Sequence, residues 1–255
     1  MNTLDDKNLK LERWRYPRFF TENISEQAGV VSGEDAKHIS VVLRMRAGDI
    51  AVLCDGRGMD YLAELEEAGK DCCTFRVLES SPNEAEPSVH LRLFQAMPKG
   101  DKMEFIVQKA VECGACEIVP FFSKRCVSRP DEKQLAKKTE RYRRIALEAA
   151  KQCGRGVVPT VGEAVDFSAL KTLIKPENTG ILFYECATTP LRSAVTQFKK
   201  NIDVVIGCEG GFELSEAEAL SAAGFAQASL GKRILRCETA PIAAISVLMN
   251  MTGNL

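Results

Sequence analysis

The chain has 255 residues, 45% of them hydrophobic and 27% charged, proportions that exclude a mainly disordered chain and suit one large or two modest globular domains. Its formal net charge of −1 excludes a uniformly basic nucleic-acid binder but leaves room for a basic face. The longest apolar run, about Pro241 to Met249, is far short of the ~20 residues that a membrane span needs. The polar start MNTLDDKNLK has no hydrophobic signal core, so a cytoplasmic protein is expected.

Residues 1–15 read as a polar extension. From Tyr16 to residue 80 the signals are short and β-like. Ile50–Cys54 is an apolar run, Asp55-Gly-Arg-Gly58 a turn, Tyr61–Leu65 alternates, and Cys72–Leu78 reads as a further strand. His38–Met45 predicts one or two helical turns, and strands so spaced suit a small barrel. The segment Ser80-Ser-Pro-Asn-Glu-Ala-Glu-Pro87 breaks the pattern. A linker is therefore placed at 81–88, between a first domain over 16–80 and a second over 89–255.

Beyond the linker, strands alternate with helical periods. Val89–Phe94 predicts a strand, and Asp101 with Glu104 a helix start whose buried stripe is Met103, Ile106, Val107, Ala110 and Val111. Cys116–Phe122 is the next strand, followed by a helix over 133–152 stopped at Gly154. Gly180–Tyr184 and Ile202–Ile206 read as strands buried on both faces. Ser215 with Glu218 predicts a capping box for a helix at 216–223. Ala226–Leu230 is a last strand, and Pro241 sits near the start of a terminal helix. This alternation predicts an α/β domain with a largely parallel sheet.

Ten cysteines in a chain without a signal segment are expected to be reduced. Cys113-Gly-Ala-Cys116 has no second CxxC at zinc-ribbon spacing, and its first thiol closes a helical stripe, so core packing is its expected role and no metal is expected.

Two segments carry the chemistry. Ile206-Gly-Cys-Glu-Gly-Gly-Phe212 follows a buried strand, where ligands of α/β sheets bind and glycines let backbone approach them. It is not a P-loop, because Phe212-Glu213 stand where Lys-Ser/Thr is required, and its glycines miss the dinucleotide spacing. Ser229-Leu-Gly-Lys-Arg-Ile-Leu-Arg-Cys-Glu-Thr-Ala-Pro241 also lies between a strand and a helix. Its Arg236, Glu238 and Thr239 read either as one ligand site shared with the first loop or as a plain helix cap.

These segments, IGCEGGFELSEAEAL and SLGKRILRCETAPIAAISVLM, resemble a family pattern of G-P-E-G-G followed by L-G-x-x-I-L-R-x-E-T-A. The pattern is that of the RsmE family of 16S ribosomal RNA (uracil-N3) methyltransferases, in the SPOUT superfamily. PRFF at 17–20, HISVVLRMRAGD at 38–49, CDGRG at 54–58, QAMPKGDKMEFIVQKAVECGACEIVPFFSKRCV at 95–127 and RYRRIALEAAKQCGRGVVP at 141–159 extend the likeness over about residues 16–252. The resemblance implies a PUA-like β-barrel before a SPOUT-type α/β domain with a trefoil knot, a homodimer formed through that domain, S-adenosylmethionine as methyl donor, and 16S rRNA of the small subunit as substrate.

By position, the resemblance places the cofactor against Tyr184, Gly207, Glu209, Gly210, Gly211, Leu230, Gly231, Ile234, Leu235, Arg236, Glu238, Thr239 and Ala240. Arg236 is expected to meet negative charge on the uracil, and Glu209 to accept its proton or, preferably, to order the loop. Arg18, His38, Arg44, Arg46, Lys99, Arg125 and Arg155 are expected RNA contacts, His38 reading equally as a structural histidine. Cys208 departs from the family proline and is expected to keep the loop shape. Ribose 2′-O methylation by another SPOUT enzyme and a non-catalytic rRNA-binding assembly factor are the competing readings.

Overall fold

The β-like runs of the N-terminal third form a five-stranded mixed sheet in the computed structural model, which describes residues 15–255. The expected polar extension thus lies, except for Arg15, outside the described residues. Chain contacts divide the protein into two units, one running to Glu86 and including Ala150–Val158, the other made of Pro87–Ala149 and Pro159–Leu255.

In the first unit, β1 (Arg18–Phe20), β2 (Ala28–Ser32), β3 (Ile50–Cys54), β4 (Met59–Ala68) and β5 (Cys72–Pro82) lie in the order β1-β3-β4-β5-β2. β1 runs parallel to β3, and the other pairs are antiparallel, giving a half-barrel. Alternation sends Phe19, Leu53, Leu65 and Phe75 into one core, and Val52, Cys54 and Leu62 to the other face. At the β3–β4 turn Asp55 Oδ1 accepts the N–H groups of Arg57 (2.8 Å) and Met59 (3.0 Å), and Gly56 and Gly58 supply φ of 74° and 97°. Helix α1 (Glu34–Lys37) continues into a π-helical turn at His38–Val42, after which Arg44 takes a left-handed φ of 55°. β5 extends through Pro82, so the first two residues of the expected linker belong to a strand.

The segment 150–158 was expected in the second domain, yet it clusters with the first unit. Buried polar groups explain why. Arg155 places its guanidinium on Glu86 at 2.7 Å, and Glu86 also accepts the N–H groups of Gly156 and Val157. Asn83 Nδ2 donates to both Asp60 and the Gly154 carbonyl at 2.9 Å.

In the second unit, β6 (His90–Ala96), β7 (Glu117–Phe122), β8 (Thr160–Val161), β10 (Thr179–Phe183), β11 (Asn201–Ile206) and β12 (Ala226–Ala228) form a sheet in the order β12-β10-β11-β6-β7-β8, with β9 (Val165–Asp166) also on β7. Every ladder in it is parallel. Its helices are α2 (Lys102–Glu112), α3 (Glu132–Cys153), α4 (Phe167–Leu173), α5 (Leu191–Ala194), α6 (Leu214–Ala222) and α7 (Thr239–Met251). α7 packs on α2 and β6, and α6 on β10. α3 ends as expected at Gly154, with φ 82° and the Arg155 N–H closing on the Ala150 carbonyl at 3.0 Å.

Two helix starts differ from expectation. Glu213, rather than Ser215, forms the capping box with Glu216, because the helix opens two residues earlier, at Leu214. Asp101 stands at the N-cap of α2 without a side-chain cap bond, and Glu104 is drawn away to Arg141 at 2.6 Å. None of the ten cysteines is in a disulfide, and Cys113 at the C-cap of α2 receives the Ser246 hydroxyl at 3.6 Å.

Candidate cofactor site

β12, β10 and β11 are neighbours and parallel, so Ala228, Phe183 and Ile206 end on one edge of the sheet, with Phe183 in register with both others. The loops leaving these ends enclose a cavity of about 660 Å³, within the ~300–1,000 Å³ usual for small-molecule sites.

The loop after β11 is a tight turn, in which the Gly211 N–H donates to the Cys208 carbonyl at 3.0 Å and Gly211 takes φ 66°. Three side chains from elsewhere hold it. Gln95 Nε2 donates to the Gly207 carbonyl (3.2 Å), Arg125 Nη1 to the Gly210 carbonyl (2.9 Å), and Glu185 accepts the Phe212 N–H (3.1 Å). Angle requires the glycine at 211, and close packing favours the one at 207. A Cβ on Gly207 would come within 3.1 Å of Phe212, and one on Gly211 within 1.9 Å of the Glu185 carboxylate.

The loop after β12 opens with Ser229 Oγ accepting the Gly231 N–H at 3.1 Å. It closes where the Arg236 carbonyl accepts the N–H groups of Thr239 and Ala240, both at 2.9 Å, starting α7. Pro241, in the first turn, needs no partner for the N–H it lacks.

Of the expected cofactor residues, Tyr184, Gly207, Glu209, Gly210, Gly211, Leu230, Gly231, Ile234, Leu235, Arg236 and Ala240 line the cavity. Glu238 and Thr239 do not. Glu238 is the N-cap residue of α7 and Thr239 its first residue. Sequence reading missed Glu185, Arg233 and Ser229 on the wall and Gln95 behind it. The strand end at Phe183 was the available signal for Glu185; Gln95 has none, since its role depends on β6 lying beside β11.

Residues 85–249 match the family described as RNA methyltransferase domain, and residues 31–78 the family described as RNA methyltransferase PUA domain. The ribosomal RNA small subunit methyltransferase E of Bacillus subtilis is 34% identical over 229 residues, covering 87% of this chain and 90% of that protein. The chain belongs to this methyltransferase family. Among solved structures, the Neisseria gonorrhoeae ribosomal RNA small subunit methyltransferase E bound to S-adenosyl methionine superposes with a TM-score of 0.86 at 31% identity, over 93% of this chain and 98% of that one. A methyltransferase from Legionella pneumophila in complex with the same cofactor gives 0.84 at 31% identity, over 93% and 98%.

The lining suits such a methyl donor. Glycine backbone lies beside the apolar walls of Leu230, Ile234 and Leu235, a combination able to take an adenine edge and an uncharged ring face. Burial acts to raise the Glu209 carboxyl. Hydrogen bonds from Lys102, from its own backbone and from the Lys99 N–H outweigh that and hold it below the usual carboxylate range. Glu209 is therefore a clamped anion and a poor proton acceptor. The Cys126 thiol, donating to Cys208 against the desolvation of burial, lowers the Cys208 thiol below its ordinary range. Burial, followed by the Glu238 contact, pushes Cys237 up to about 12.

The turn that carries Cys208 is already pinned by Gln95, Arg125 and Glu185, so the stiffness of a proline there would be redundant. Calorimetry on Cys208→Pro is expected to give S-adenosylmethionine affinity within about tenfold of wild type. Tightening beyond ~100-fold, about 2.7 kcal/mol, would show that the pocket is not preformed.

The expected RNA contacts separate sharply. Arg18 is bound bidentately to Asp60 at 2.7 and 2.9 Å with its side chain 8% exposed, and Arg155 is 3% exposed on Glu86. In this structure both guanidiniums are enclosed in ion pairs within the first unit and present no open face to a phosphate. Arg125 is committed to Glu213 (3.0 Å) and Gly210 and lines the cofactor cavity. His38 is exposed, edge-on to the Phe19 ring at 6.5 Å. Arg44, Arg46 and Lys99 are exposed, and their charged ends make no hydrogen bond or ion pair among the described residues.

Proposed function

We propose that the protein transfers the methyl group of S-adenosylmethionine to N3 of a uridine in 16S rRNA of the small ribosomal subunit. The observation that carries this reading is the glycine-walled cavity at the ends of β10, β11 and β12, bordered by the uncommitted guanidiniums of Arg233 and Arg236 in a chain of this family. The cofactor supplies a methyl group activated on a sulfonium, so the protein has to position and neutralise.

The backbone around Gly207, Gly210 and Gly211 and the side chains of Leu230, Ile234 and Leu235 hold the cofactor. Alignment of N3 with the methyl supplies several kcal/mol. As N3 loses its proton, negative charge grows on the uracil oxygens, and Arg236 meets it. Glu209 orders the loop. N3 lies on the Watson–Crick edge, so the target base is unpaired or flipped out. Arg44 and Arg46 of the first unit, with His38 beside them, and Lys99 of the second contact RNA phosphates.

The second unit is read as trefoil-knotted. In support, the chain leaves β12 at the sheet edge, yet its next helix, α7, packs back on α2 and mid-sheet β6. A homodimer through this unit is also proposed, on the exposure of Leu214 (62%), and the site of action is the cytoplasm. Small subunits from a strain lacking the protein are to be incubated with it and S-adenosylmethionine, then digested for mass spectrometry. One new N3-methyluridine is the expected result. A 2′-O-methyl nucleoside, or binding with no methylation, would overturn the reading in favour of a ribose methyltransferase or an assembly factor.

A further inference from the structure

The two cofactor loops have no carboxylate-to-backbone bond from one to the other among the described residues, yet each sends a carboxylate to the same point. Glu209, in the turn after β11, lies 2.9 Å from Lys102 Nζ, and Glu238, the N-cap residue of α7, lies 3.3 Å from it. Lys102 is the first residue of α2 and stands 107 positions from Glu209 in the chain. Glu209 also accepts the Lys99 N–H at 3.2 and 3.3 Å, so the segment before α2 grips the loop through both backbone and ammonium. Cys237 Sγ lies 3.9 Å from the same nitrogen, and its thiol donates to Glu238 at 3.2 Å.

We propose that Lys102 is a positioning residue for methyl transfer: its ammonium ties the turn after β11 to the start of α7 and so sets the width of the cofactor cleft. The argument rests on the cofactor reading of the cavity given above. Without the ammonium, two carboxylates from the two loops, each within 3.3 Å of one point, repel. The side chains are a quarter to a third exposed, so the pairs add little to global stability. Their effect falls on the two loops they join. Basic character alone would assign Lys102 to RNA. The geometry assigns it to the protein's own carboxylates.

The test uses the full-length protein and Lys102→Met, with Lys102→Arg as the conservative variant. Calorimetry is expected to show S-adenosylmethionine affinity lowered on the order of 10- to 100-fold in Lys102→Met and largely restored in Lys102→Arg, with affinity for small-subunit RNA unchanged. Hydrogen exchange of the unloaded protein is expected to be faster in Lys102→Met at residues 207–211 and 236–240.

A pH series supplies a readout that a merely structural role would not move. The charged and titratable groups facing Glu209 are Lys102, Glu238, Cys237 and the adjacent Cys208. Its ionised form orders the loop, an effect present at neutral pH and lost as pH falls through the depressed folded pKa. Removing Lys102 raises that pKa, so cofactor affinity is lost at a higher pH in Lys102→Met than in wild type.

Unchanged cofactor affinity in Lys102→Met would overturn the proposal, as would weakened RNA binding alone. An unshifted acid limb with no recovery in Lys102→Arg would also overturn it. If Lys102→Met does not fold, Glu238→Gln is to be measured instead. Normal cofactor affinity and unchanged exchange at residues 207–211 in that variant would also count against the tie. If the cofactor protects neither loop of the wild-type protein, the site reading fails with the proposal. A normal wild-type footprint with an indifferent variant overturns the proposal alone.

Discussion

Replacing Arg236 by alanine is expected to lower the rate of methyl transfer roughly 10²–10³-fold, the usual effect of removing one donor from a developing anion. Affinity for S-adenosylmethionine is expected to stay within a few fold. The expectation follows from what holds each guanidinium at the cavity. Arg125 is spent on Glu213 and the Gly210 carbonyl, so it cannot reorient toward a substrate without releasing the turn after β11. Arg233 and Arg236 are exposed on the wall, and their guanidiniums make no hydrogen bond or ion pair among the described residues. Arg236 is the better placed, because its own carbonyl accepts two N–H groups at the first turn of α7. That anchorage fixes its Cα where neighbouring Arg233 has none. The assay is single-turnover methylation of small subunits at saturating cofactor and RNA, with Arg233→Ala as the paired variant. Normal turnover in Arg236→Ala with a large loss in Arg233→Ala would transfer the role to Arg233. Normal turnover in both would remove guanidinium stabilisation from the mechanism.

Much of this architecture was legible in the sequence, for reasons of periodicity. The stripe of Met103, Ile106, Val107, Ala110 and Val111 is buried on α2 as its spacing requires. The turn at Asp55–Gly58 joins β3 to β4. β1, β8 and β9 were illegible, because they are two or three residues long, too short for the two-residue alternation of a strand to repeat. Their strand character comes from a neighbour's ladder. Loops were legible where glycine marked them, and most of the cofactor residues that the resemblance implied line the cavity. Partners distant in sequence were not legible. Nothing local distinguishes Arg18 and Arg155, enclosed by Asp60 and Glu86, from Arg44 and Arg46, which stand in solvent. Each reads as a basic residue beside apolar ones. Only the fold decides which charges are spent.

Asp203 is the sharpest case, and it carries the largest expected effect on stability. Read as part of an apolar run, Ile202–Ile206 should hold no charge, yet Asp203 lies inside β11 with no exposed surface. Its register partner on β6 is Arg92, whose Nε and Nη2 meet the two carboxylate oxygens at 2.7 and 2.8 Å. Asn178 Nδ2 adds a third bond at 3.0 Å. Arg92 also stacks over Phe94 at 5.0 Å and donates to the Leu173 carbonyl at 3.1 Å, so it cannot swing out to water. Hydrogen bonding to Asp203 raises the Arg92 pKa, against the desolvation of burial. Asp203→Ala leaves that guanidinium and the Asn178 amide buried without their acceptor. The expected cost is about 3–5 kcal/mol, read as a lower midpoint in urea denaturation. Asp203→Asn keeps the shape and one acceptor oxygen, so it is expected to fall between wild type and alanine. The loss should also reach the cofactor site, because β11 runs directly into Gly207. A change below about 1 kcal/mol in Asp203→Ala would mean that Arg92 finds another partner or water. In that event the pair would be a replaceable feature of the sheet centre and not the condition for β11 to pass through it.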